Sequence, residues 1–395
     1  MNQRICYISQ GRLFVKSPEG GEEEIHSDFA AKLKQRLQSV EDRNNFRGGG
    51  SGASFMRGGF APPNSVTVED TFRCNFSCAA AGPAPGVICY GLSADGVRGL
   101  FIYETQEKYE RRVQHGPKHI FTGISARMSD DSQEWIIAAA QDHGVSRIAR
   151  FLPEEGGGLT ELTEGDAIDS NPMWEAEGRR FVYQSSGIAR HPQSGEWMGL
   201  GPASIHRIDL DSGRMEVIAE DDRYDYLCPH PAPDGSIYYL RRPYEAIARG
   251  SFWKLLQDIV LFPFRLARAL FGFLNVFSMI FSQKPLRTAG QPKFKGPDPK
   301  AIFLHGRLIE INKAMRDSAA DELKAIVPGN WQLVHRDTSG TETTMVSGVL
   351  AFSLAKDGGI IYSNGKGVFK RPKGSQEVQK ISNQKYVTTV FEMNE

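Results

Sequence analysis

The chain has 395 residues, of which 47 are basic and 47 acidic, so its formal net charge is zero and no global field draws it towards nucleic acid or an acidic partner. Hydrophobic residues make up 40% and charged residues 24%, as in one large soluble domain carrying insertions. The five cysteines, Cys6, Cys74, Cys78, Cys89 and Cys228, are odd in number and mostly fall on predicted buried strands, as reduced structural thiols do, which argues for a cytoplasmic location.

Met1-Asn2-Gln3-Arg4 leads straight into a strand, without the apolar segment and small residues of a signal peptide. From there a short apolar strand, a turn, a second strand and a third recur along the chain. The second strands of these units fall at 5–9, 87–91, 135–139, 180–184, 236–240 and 359–363, each β-branched or aromatic and bounded by turn residues. Third strands begin at Leu13, Leu100, Arg147, Ile205, Trp331 and Val368, and polar turns at 156–158, 211–213 and 373–375 lead to a last, more polar strand. Repeated sheets of this size bury both faces only by stacking radially, which predicts a six-bladed β-propeller. Unit one lacks a first strand and 385–391 is a strand left over after unit six. Pairing the two would close the ring at blade one and remove an exposed edge. The predicted fold is therefore all-β, a six-bladed propeller closed by its N- and C-terminal strands, with a helical amphipathic insertion in blade five. Residues 1–240 carry blades one to five, 241–330 the large insertion, and 331–395 the end of blade five, blade six and the closing strand.

Asp169-Ser170-Asn171-Pro172-Met173-Trp174, followed by Glu175-Ala176-Glu177-Gly178 and the strand that ends at Ser185, resembles the repeat of TolB-type propellers. In that repeat Pro-x-Trp-Ser turns through Pro-Asp-Gly into a strand ending in Ser; here Glu175-Ala176-Glu177 replaces Ser-Pro-Asp. Looser copies lie at 229–235, 126–131 and 352–358, so the resemblance covers about two thirds of the chain. It implies a fold and not a function, since such propellers serve as periplasmic scaffolds, peptidase caps and intracellular binding platforms.

A smaller insertion, 28–64, follows blade one. Asp28 is placed to cap a helix over 28–44 with apolar spacing at Phe29, Leu33, Leu37 and Val40. The Gly-rich stretch 47–60 follows no strand and opens no helix, so it lacks the context of a phosphate loop. Its Arg-Gly-Gly pieces are too few to predict RNA binding, and a loop crossing the propeller face is expected. The first strand of blade two is expected near 66–77.

The larger insertion contains a long apolar segment, 251–282. Its polar or small positions, Lys254, Asp258, Arg265, Arg268, Gly272, Asn275, Ser278 and Ser282, form one narrow stripe on a helix that Pro263 should kink. Four readings compete for it. A transmembrane span needs roughly 18–20 apolar residues, more than the charge-free run 269–283 supplies. Folding back on the propeller would demand unfilled core. An in-plane membrane helix would bury Phe252, Trp253, Leu256, Ile259, Val260, Phe262, Phe264, Leu266, Leu270, Phe271, Phe273, Leu274, Phe277, Ile280 and Phe281, and set Lys254, Arg265, Arg268, Lys284 and Arg287 beside anionic headgroups. Docking onto a protein partner, or self-association, would use the same apolar face. Downstream, a Pro/Lys/Gly linker over 293–300, a hairpin around Gly306 and a short helix over 317–326 lead back to blade five.

Chemistry is sparse. Cys74 and Cys78 have a zinc-ligand spacing but no second pair nearby, so no metal or other cofactor is expected. Glu69, Asp70, Asn75, Asp169, Asn171 and His230 lie on innermost strands and read as structural polar groups rather than a calcium site. No Gly-x-Ser-x-Gly elbow is present. The sequence therefore predicts a non-enzymatic, cytoplasmic propeller scaffold, peripheral at the inner face of the cell membrane or bound to a protein partner through 251–282. The competing classes are a calcium-dependent, lactonase-like hydrolase and a subunit of a larger complex.

Overall fold

The structure, a computed structural model, describes residues 3–48, 72–129, 132–141, 144–154, 158–176, 179–245, 301–304, 307–310 and 325–394. β1 (Ile5–Ser9), β2 (Arg12–Lys16) and β3 (Glu22–Ile25) form an antiparallel meander followed by α1 (Asp28–Gly48). β4 (Cys74–Ala81), β5 (Val87–Ala94), β6 (Val97–Glu104) and β7 (Tyr109–Gly116) make the next, and β8 (Ile120–Ser129), β9 (Ser132–Ala140), β10 (Ser146–Phe151) and β11 (Thr160–Glu161) the third. In the fourth, β12 (Ala167–Trp174) pairs with the long β13 (Arg180–Arg190); the far end of β13 takes β14 (Trp197–Leu200), while its near end takes β15 (Ser204–Asp209), which in turn takes β16 (Met215–Ala219). A single parallel bridge, Ser146 to Ile168, joins the third and fourth sets edge to edge.

The fifth set is interrupted. After β17 (Tyr224–Pro231) and β18 (Ile237–Pro243) comes a separate two-stranded hairpin, β19 (Ala301–Leu304) with β20 (Arg307–Glu310), before β21 (Gln332–Arg336) and β22 (Glu342–Ser347) complete the sheet. The sixth set is β23 (Ala351–Leu354), β24 (Ile360–Ser363), β25 (Val368–Arg371) and β26 (Gln379–Ser382), and the final β27 (Val387–Glu392) pairs antiparallel with β1.

Alternation along each second strand explains why it reads as a continuous apolar run. Successive side chains point to opposite faces, and here both faces meet a neighbouring sheet. In β5, Ile88 and Tyr90 pack with Cys6, Ile8 and Leu13 of the first set, while Cys89 packs with Trp135 and Ile137 of the third. In β9, Ile136 and Ala138 turn instead to Phe181 and Tyr183 of the fourth. The same division recurs at Val182 with Tyr239, at Leu240 with Tyr362, and at Ile361 with Tyr7. Sheets stacked face to face in chain order make an all-β propeller. Their first strands also touch in succession, β4 with β8, β8 with β12, β12 with β17, β17 with β23, β23 with β27, and β27 with β4.

Three local expectations are corrected. The helix cap is Ser27, whose Oγ accepts the Ala30 N–H at 3.2 Å, while Glu110 takes the Phe29 N–H at 2.7 Å; Asp28 sits instead within the first turn, where its charge suits the helix dipole. Phe29 and Leu33 of the helix pack on the core, whereas Val40 is 52% exposed. The first strand of blade two begins at Cys74 and runs past Ser77 to Ala81, anchored by Phe76 N–H donating to the Gly11 carbonyl at 2.8 Å. Of the short helix expected over 317–326, residues 317–324 lie outside the described residues, and the described end is not helical: Ile326 N–H donates to the Asn364 carbonyl at 2.9 Å. The Gly-rich stretch 49–60 lies outside the described residues.

Candidate functional site

The large insertion leaves blade five after β18 and returns before β21, yet the two strands pair without interruption from Ile237 with Arg336 to Arg241 with Gln332. The insertion therefore leaves the pairing of the sheet intact, and the described residues at both of its ends, its stalks, are pinned. On the outgoing side, Arg242 forms a buried ion pair with Asp225, Nε to Oδ2 at 2.9 Å, and the other oxygen of Asp225 accepts the Ala203 N–H at 3.1 Å. Tyr244 then donates its N–H to the Arg223 carbonyl and its hydroxyl to the Leu200 carbonyl, at 2.7 and 2.5 Å. On the return side, Val327 and Trp331 are buried against Leu350. The Arg242 guanidinium lies 4.7 Å from the centre of the Trp331 ring, joining the two stalks.

The segment 251–282 itself, with every apolar contact from Phe252 to Phe281 and the cationic positions Lys254, Arg265, Arg268, Lys284 and Arg287, lies outside the described residues. No helix among the described residues is long and apolar enough to cross a membrane. The hairpin of β13 and β14 was not foreseen from the sequence. It rises beside the outgoing stalk, carries Trp197 and Met198 at 47% and 39% exposure, and is braced by Arg190, whose Nε and Nη2 reach Asp166 at 2.5 and 2.7 Å. The glycines around Trp-Met, at 195, 199 and 201, were the available sign of a turn-rich excursion.

Of the polar residues expected on innermost strands, Glu69 and Asp70 lie outside the described residues. Asn171 is brought together with Gln184 and Cys228 where β12 and β17 bulge, while His230 lies two residues further along β17. Asn171 and Cys228 take positive φ, 49° and 52°. Gln184 Oε1 accepts from Asn171 Nδ2 at 3.0 Å and from the Cys228 N–H at 2.7 Å, tying blade four to blade five. The His230 ring lies tilted against Phe352, centroids 4.6 Å apart, and burial pushes its pKa down to about 4. Asp169 is buried, and burial raises its carboxyl above the ordinary range, while Asn75 stands apart against Gly11. Among the described residues, no three His, Cys, Asp or Glu side chains converge as a metal site would require. Burial raises the thiols of Cys74 to about 11 and of Cys78 and Cys228 to about 12, and pushes those of Cys6 and Cys89 up as well, so all five are poor nucleophiles at neutral pH.

Among solved structures, TolB from Acinetobacter baumannii superposes with a TM-score of 0.53 at 11% identity, covering 100% of this chain and 67% of that one. The fold is that of a TolB-type β-propeller. At this identity the likeness extends to the fold alone. A structure of a nidogen/laminin complex matches this chain comparably, with a TM-score of 0.52 at 5% identity over 99% of this chain and 98% of that one. No protein-family model matches the sequence. No curated protein matches it either.

Proposed function

We propose that this TolB-type propeller is a non-enzymatic scaffold, a six-bladed ring closed by the pairing of β27 with β1, which attaches to an anionic membrane surface through 251–282 on the cytoplasmic side. The observation that carries the reading is the uninterrupted β18–β21 pairing beneath the insertion. A segment of this length, rich in Phe and Leu, hangs from a sheet that does not need it. Both stalks are fixed by buried contacts, so the ring would hold the insertion's ends still while the apolar face is presented outward. Cyclic contact of the first strands and the six apolar seams between sheets support the closed ring. Five free thiols suit a reducing compartment.

Changing Lys254, Arg265, Arg268, Lys284 and Arg287 together to Gln tests the electrostatic half of this reading. Each cation near an anionic surface contributes roughly 1 kcal/mol, so partitioning onto phosphatidylserine vesicles should collapse in the variant and fall with salt in the parent. Salt-insensitive binding that the variant retains would point to a protein partner or self-association in place of the headgroup contacts.

A further inference from the structure

The outer strand of a propeller sheet has an open edge, which is a template for pairing unless charge or shortness blunts it. Several outer strands here are blunted: β3 begins with Glu22-Glu23-Glu24, β7 carries Arg111 and Arg112, and β11 is 2 residues long. β16, at the end of its sheet, differs. Its Met215 and Val217 are 60% and 49% exposed, and among the described residues no strand pairs with its outer side.

The backbone on that side is unspent. Asp209 N–H donates to the Arg214 carbonyl at 3.0 Å, which turns the backbone of Arg214 towards β15. From there Met215, Glu216 and Val217 face Ile208, Arg207 and His206 in unbroken register, and backbone groups along an antiparallel strand alternate in direction. Met215 and Val217 therefore aim their N–H and C=O groups away from β15, at the open edge. Arg214 and Glu216 share the strand face opposite Met215 and Val217. Arg214 is exposed, and Glu216, 53% exposed, reaches Arg207 at 3.3 Å.

This strand is complementary to itself. A second copy laid antiparallel, with Met215 opposite its counterpart, sets each Arg214 across from Glu216 of the other copy, at the non-hydrogen-bonded positions where side chains come closest. Centring the pairing on Glu216 would instead oppose like charges, which is unfavourable. The charges thus select one register.

We propose that β16 pairs antiparallel with β16 of a second copy of this chain, about a two-fold axis at Met215. Such a contact is isologous and closes on itself. The strand is short, whereas stable interfaces bury roughly 1,200–2,000 Å², so the dimer is weak and forms as concentration rises. It is independent of the insertion and of membrane attachment.

Sedimentation velocity of the full chain from micromolar to millimolar concentration tests this. The parent should shift from monomer to dimer. Arg214→Glu and Glu216→Arg should each weaken the dimer by about tenfold, because attraction across the strand pair becomes repulsion, with the melting temperature of each variant confirming that it is folded. Mixing the two variants should restore association, since every facing pair is then opposite in charge. A parent that stays monomeric throughout would overturn the proposal. So would folded variants that dimerise as the parent does, as self-association through 251–282 would have it, or a mixture no stronger than its components.

Discussion

Arg242 and Trp331 stand at the two ends of the large insertion, and the guanidinium of one lies 4.7 Å from the ring centre of the other. Both are buried, at 5% and 2% exposure, and Arg242 is also ion-paired with Asp225. The contact therefore fastens the two stalks to the propeller and to each other.

Trp331→Ala should destabilise the ring by roughly 3–5 kcal/mol, the usual cost of emptying a buried aromatic site. Asp225→Asn should cost about 3 kcal/mol, since it leaves a buried guanidinium without its carboxylate. Urea unfolding of both variants measures this, and losses near those of surface substitutions would show that the stalks are not held as described.

Glu134 is 1% exposed and receives Arg127, Arg150 and Arg179, with Arg127 also stacked 3.7 Å over Trp174. Burial pushes its carboxyl up, but the hydrogen bonds and charges of Arg127 and Arg150 outweigh that and hold it below its ordinary 4.5. A depressed carboxyl contributes stability above its unfolded pKa and loses it as pH falls through the folded one. Glu134→Gln should cost about 3 kcal/mol at pH 7 and should flatten the decline of stability below pH 4.5. Urea midpoints at pH 7 and below 4.5 compare the two proteins, and a parallel decline would assign the acid sensitivity elsewhere.

His230 acts in a higher pH window. Its pKa of about 4 lies below the ordinary 6.5, so the unfolded chain takes up a proton that the folded chain refuses. Its contribution is complete above pH 6.5 and is lost as pH falls towards 4. NMR titration of the His230 ring should show no protonation at pH 6, and His230→Phe should make stability flatter between pH 6.5 and 4.5. A ring midpoint near 6.5 would contradict the burial described.

β27 covers the edge of β1 and buries Val387, Val390 and Phe391. Ending the chain at Gln384 should expose that edge and apolar face, producing aggregates or strand-exchanged dimers on size-exclusion chromatography. A monomer of parental stability would show that the pairing is dispensable.

Much of the fold was legible because the second strands are buried on both faces. Trp135-Ile136-Ile137 and Ile360-Ile361-Tyr362 admit no polar alternation, and turn residues bracket them closely. The helix cap was misassigned by one residue because Ser27 and Asp28 are both good capping types, and the choice was made by Glu110, distant in sequence. The β13–β14 hairpin was missed because its strand is short and Gly-flanked.

The central claim is a rigid ring that carries a separable attachment segment. The most direct measurement compares the full chain with a variant lacking 252–281, recording the melting temperature and co-sedimentation with phosphatidylserine vesicles on the same samples. The account predicts an unchanged melting temperature and lost co-sedimentation. A variant that melts well below the parent would contradict it, because the segment would then be packed on the propeller; so would a variant that binds vesicles as the parent does.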